Sequence, residues 1–182
     1  MHPISRRTLL GGLAVTAALF PASLKAAPLR PRFLNLHNIR TGEKFRGEFY
    51  DRGCYLPDAC RELNWLLRDH HCDVMTEIDP GVLDLLWSLR DRIARTTERD
   101  VIVNVHSAYR TPQTNHQLEP KGAASNSWHM SGRAVDLSVQ GVSIRPMAKQ
   151  ARTVQTGGLG IYWRSRFVHL DTGPKRIWQQ RA

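Results

Sequence analysis

The order of its hydrophobic patterns constrains this chain most: stripes of helical period come early and short strand-like runs come late. Leu63, Leu66 and Leu67 share one face of a helix that opens at Pro57-Asp58 and runs through Leu67. A second helix begins at Asp79-Pro80, since aspartate caps a helix start and proline suits the first turn. Its stripe is Leu83, Leu86, Leu89 and Ile93. A third helix is expected over 144–154. Alternating segments at 33–37 and 44–50, with Thr41-Gly42-Glu43 between them, read as a hairpin. Further short strands are expected at 101–105, 134–139, 160–162, 167–170 and 176–178. The polar stretch 111–128 reads as loop with one helical turn, and Gly157-Gly158-Leu159-Gly160 as a tight connector. Early helices and late strands predict an α+β fold, with an antiparallel sheet and helices on one face.

With 182 residues and 41% hydrophobic content, the chain suits one domain with a real core plus a short removable segment. That segment is the N-terminus. Arg6-Arg7 precede the apolar run 9–20, and Ala26-Ala27 follow it. Positions 1–27 thus read as a twin-arginine-type signal peptide, 28–182 as the exported domain, and the periplasm as its location. The apolar run is shorter than the about 20 residues a spanning helix needs, so no stable membrane insertion is expected after cleavage. Net charge is +10, and +7 once Arg6, Arg7 and Lys25 are taken away. The other basic residues are scattered rather than clustered with aromatics, which argues against nucleic acid as a partner. Such a surface serves solubility or an acidic wall polymer. Cys54, Cys60 and Cys72 permit one disulfide in an oxidising compartment and leave one thiol, with the pairing open.

Three residues carry the chemistry. His129 and Asp136 lie on either side of Gly132, which lets the chain turn sharply, and His169 stands in the otherwise apolar run Phe167 to Leu170. Two neutral imidazoles and a carboxylate can hold a zinc ion and leave its fourth position open for water, the mark of a catalytic rather than a structural site. Iron and manganese accept the same donors. Taken singly, a strand histidine is more often a core residue than a ligand, so the reading requires that the three meet.

Six segments occur in order along positions 32 to 178: Thr41-Gly42-Glu43, Leu66 to Asp69, Ser107 to Asn115, Ser127 to Asp136, Gly157 to Tyr162, and Phe167 to Gly173. In this register the chain resembles the YcbK-like proteins of the murein endopeptidase K family, relatives of the D-Ala-D-Ala carboxypeptidase and hedgehog-type zinc peptidases. The resemblance implies one zinc per chain on His129, Asp136 and His169, at the floor of a cleft on the sheet. It implies peptidoglycan peptide as substrate, with a crosslink between diaminopimelate residues as the favoured bond. The alternatives are a D,D- or L,D-carboxypeptidase, and an inactive zinc-containing peptidoglycan-binding module.

The resemblance also places Arg110 facing the metal, where a guanidinium fork suits an oxyanion or a substrate carboxylate. Ser107 and Asn115 are expected to fix its loop, and Tyr109, Trp128 and Tyr162 to line the cleft. Several relatives carry an acid three positions before the second histidine ligand. Here that position is Arg166, which accepts no proton at neutral pH. Asp171, two residues after His169 and on the same strand face, is therefore the expected general base, with an orienting role behind His169 as the alternative. His106 is a weaker candidate.

Overall fold

The computed structural model describes residues 30–97 and 100–180, so the expected signal peptide, 1–27, lies outside the described residues. In chain order the elements are β1 (Arg32–Asn38), β2 (Lys44–Asp51), β3 (Cys54–Tyr55), α1 (Pro57–Leu66), α2 (Pro80–Thr97), β4 (Val103–Ser107), α3 (Pro112–Leu118), β5 (Ala134–Val139), α4 (Ile144–Val154), β6 (Gly158–Tyr162), β7 (Phe167–Asp171) and β8 (Arg176–Gln180). The expected hairpin forms as β1–β2, and the strand at 134–139 and helix at 144–154 form with the expected bounds.

The eight strands make one sheet in the order β3-β2-β1-β4-β5-β7-β6-β8. The class is α+β as expected, but the sheet is mixed rather than antiparallel: β1 runs parallel to β4, and β6 parallel to β8. Both departures follow from the connections. Between β1 and β4 the chain passes through β2, α1 and α2, and a crossover of that length is what a parallel pair requires. β8 leaves β7 and returns on the far side of β6, which turns it parallel to β6.

Alternation along the strands divides the sheet into two faces. Val103, Val105, Val135, Leu137, Val139, Leu159, Ile161, Val168 and Leu170 are buried in one core with the stripes of α1, α2 and α4. The opposite face carries Asp136 and Ser138 of β5, and His169 and Asp171 of β7.

Two local expectations are corrected. The stretch 112–118 is a helix of seven residues rather than a single turn; its buried positions are polar, Thr114 and Asn115, so no apolar stripe announces it. Its start is capped by Thr111, whose hydroxyl accepts from the Thr114 amide at 3.2 Å. Gly158 to Gly160 is strand, not connector. Cys54, Cys60 and Cys72 are all unpaired, so no disulfide forms among them. No helix among the described residues is long and apolar enough to cross a membrane.

Candidate metal centre

The backbone brings the three expected donors together. Asp136 and His169 are register partners on neighbouring strands β5 and β7. His129 comes from the tight turn before β5, where Gly132 adopts φ +66°. A Cβ at Gly132 would stand 2.8 Å from the Glu77 carbonyl, so both the conformation and the space favour glycine. His129 Nε2 lies 3.1 Å from His169 Nδ1 and 3.4 Å from Asp136 Oδ1, and His169 Nδ1 lies 2.9 Å from Asp136 Oδ1. Donors 2.0–2.1 Å from a tetrahedral zinc stand about 3.3 Å apart, so this triangle fits such an ion.

The hydrogen bonds behind the rings decide which nitrogens are free. His129 Nδ1 lies 2.5 Å from the Ala108 carbonyl and His169 Nε2 lies 2.9 Å from Asp171 Oδ2. Both partners only accept, so each of these nitrogens carries a hydrogen. In the neutral rings the two remaining nitrogens therefore turn lone pairs toward each other and toward a carboxylate oxygen. Three buried acceptors directed at one point require a positive charge between them, which a proton or a metal cation supplies. His129 is pushed down by burial. For His169 burial also acts downward, but its hydrogen bonds to Asp136 and Asp171 outweigh this and push it up. Burial acts upward on Asp136, yet the imidazoles beside it hold the carboxyl well below the usual range.

Arg110 is not free in the cleft. Its Nη2 donates to Asp136 Oδ2 at 2.8 Å and its Nε to Ser107 Oγ at 2.9 Å. The segment that carries it is held from two sides: Tyr109 N donates to Leu67 O, Thr111 N to Asp69 Oδ2, and Arg110 N to His129 O. These contacts explain why Leu66 to Asp69, far from the donors in sequence, belongs to the site. Asn115 ties α3 down through Ala124 O at 2.9 Å.

Asp171, expected as general base or as an orienting partner of His169, stands in contact with the imidazole at 2.9 Å. Its side chain is 0% exposed and sits behind His169, away from the other two donors. Its oxygens accept from His169, from the Gly158 and Gly173 amides, and from Arg176. Burial acts upward, but these bonds hold the carboxyl well below its ordinary pKa, and the side chain does not line the cleft. Arg166 is exposed in the β6–β7 turn at φ +56°. His106 is bound to Ser138 Oγ at 2.8 Å and stacks on Phe167. Tyr109 packs against the core, whereas Trp128 and Tyr162 do line the cleft.

Sequence reasoning missed Trp178, Arg176 and the purpose of two glycines. A Cβ at Gly160 would stand 2.6 Å from the Trp178 indole, and one at Gly158 would stand 2.3 Å from Asp171 Oδ2. The bare strand positions let Trp178 lie across β6 onto His169, with ring centroids 5.2 Å apart, and let Asp171 and Arg176 sit close to the sheet. Glycines at alternate positions of one strand were the available signal. Above the donors opens a cleft of about 600 Å³.

A family model described as peptidoglycan L,D-endopeptidase MepK matches residues 26–178. The peptidoglycan L,D-endopeptidase MepK of Escherichia coli strain K12 is 37% identical over 180 residues, covering 96% of this chain and 97% of that protein. The probable peptidoglycan L,D-endopeptidase MepK of Haemophilus influenzae is 32% identical over 174 residues, covering 93% and 92% respectively. With a donor triangle on a sheet-face cleft and relatives matched nearly end to end, the chain belongs to the MepK family of peptidoglycan L,D-endopeptidases.

Proposed function

We propose that this protein is a zinc-dependent peptidase of the periplasm that hydrolyses peptide crosslinks of murein, with the bond between diaminopimelate residues as its target. The observation that carries the reading is the convergence of three lone pairs at the floor of an open cleft, in a chain of this family. His129 Nε2, Asp136 Oδ1 and His169 Nδ1 would hold the ion. Zinc there supplies Lewis acidity for the scissile carbonyl and for water.

The chain's own residues prepare that chemistry. Ala108 and Asp171 fix both histidine tautomers. Arg110 holds the second oxygen of Asp136, and two of its five N–H donors are so engaged, leaving others for a substrate oxygen. One such donor at a developing oxyanion contributes about 3 kcal/mol. Trp178 and Tyr162, bonded to each other at 3.2 Å, wall the β6–β8 side of the cleft.

A second reading, a wall-binding module that keeps the metal for stability, draws on one observation: Asp136 is the sole carboxylate among the described residues lining the cleft. Digestion of purified sacculi by zinc-loaded protein separates the two. Loss of crosslinked muropeptides, absent with His129→Ala, is expected; intact crosslinks after wild-type treatment would overturn the peptidase. The export signal is tested separately: the mature N-terminus should follow Ala26 or Ala27, and Arg6→Lys with Arg7→Lys should hold the protein in the cytoplasm.

A further inference from the structure

The charge of the cleft is one-sided. Arg40, Arg110, Lys121 and Arg176 line it, against the single carboxylate of Asp136. Arg110 already pairs with that carboxylate. Arg40 and Lys121 are exposed and have no carboxylate partner among the described residues. Arg176 spends its Nη groups on Asp171 and the Pro174 carbonyl. A guanidinium carries five N–H groups, so Nε and one hydrogen of Nη2 remain, on a side chain 41% exposed beside Trp178.

Topology places these cations on opposite sides of the donors. Arg40 follows β1, two places from β5 in the sheet, and Lys121 follows α3, which springs from the end of β4. Arg176 opens β8, two places from β7 on the other side. At about 4.8 Å per strand spacing, β1 lies about 10 Å from β5, whereas the Arg176 guanidinium reaches back across Gly158 of β6 to Asp171 of β7 itself.

We infer that the cleft selects crosslinked peptides with free carboxylates on both sides of the scissile bond, Arg40 and Lys121 receiving one and Arg176 the other. This rests on the peptidase reading of the same site. Amidation of either carboxylate removes its charge and one acceptor oxygen while keeping size, so it reports on this recognition and little else.

The test uses the zinc-loaded mature protein and a synthetic crosslinked peptide in four forms: both carboxylates free, either one amidated, and both amidated. Amidation on each side should lower kcat/KM about tenfold, mainly through KM, as expected for loss of a charged hydrogen bond. In Arg40→Gln with Lys121→Gln, amidation on one side should cost almost nothing further, while the other side keeps its full effect; Arg40→Lys should restore the discrimination. Equal cleavage of all four forms by the wild type overturns this inference and leaves the peptidase standing. Cleavage of none overturns the peptidase, and this inference with it.

Discussion

Strand β5 shows two ways of burying a side chain, one residue apart. Val135, Leu137 and Val139 face the helices and are held by apolar contact alone. Asp136, between them, is nearly as buried, but its carboxylate is held by polar partners, two imidazoles and a guanidinium. The helix face tolerates other apolar side chains of similar volume, because dispersion and water exclusion have little direction. The cleft face tolerates far fewer, because its polar atoms have specific partners and an orphaned buried charge is costly. Stability and chemistry are thus divided between the faces of a single sheet.

Breaking each face separately sharpens that division. The largest effect expected is from His129→Ala: loss of bound zinc and of crosslink cleavage together, read by metal analysis and muropeptide digestion. Leu137→Ala should do the reverse. It leaves a cavity on the helix face and costs about 2–5 kcal/mol of stability in denaturant titration, with activity per bound metal intact well below the melting point. Asp171→Asn keeps the shape and removes the charge behind His169. Zinc affinity should fall about 10–100-fold, and activity should return at high zinc. Activity lost at full zinc occupancy would instead restore Asp171 as the proton acceptor.

The smallest effect concerns an ion pair outside both faces. Glu43 accepts from Arg68 at 2.7 Å, and that bond, opposed by burial and joined by one from Thr41, lowers its pKa below 4.5. A depressed carboxyl stabilises the fold above its unfolded pKa and loses that contribution as pH falls through the folded one. Glu43→Gln should therefore cost at most about 1 kcal/mol at neutral pH, since the pair is part-exposed, and nothing once the pH lies below the lowered folded-state pKa, where the carboxyl is neutral in both the folded and the unfolded chain. A larger loss would mean that the 41–43 turn supports the cleft through Arg68.

The two faces were also unequally legible. Helices α1, α2 and α4 and strand β5 announced themselves because apolar residues recur at 3.6 or 2 positions. Helix α3 did not, because Thr114 and Asn115 are what it buries. The donors stood out as residue types, yet their sequence could not say which ring nitrogen each histidine presents. That depends on Ala108 and Asp171, one of them a backbone carbonyl invisible to residue identity. For Asp171, the alternation rule put it on the same face as His169 correctly, but a shared face permits contact with either side of the imidazole. Parallel pairing of β1 with β4 and β6 with β8 was hidden because strand direction is set by connections, not by the strands' own residues.

The hydrogen bond from Arg110 to Asp136 Oδ2 has a consequence for coordination number. A carboxylate with both oxygens free can chelate through two; a guanidinium on the second oxygen competes for it and favours ligation through the first. With that oxygen engaged by Arg110, Asp136 would offer a bound cation its Oδ1, so that together with the two imidazoles the chain would supply three donor atoms, and any further ligand would come from solvent or from the peptide itself.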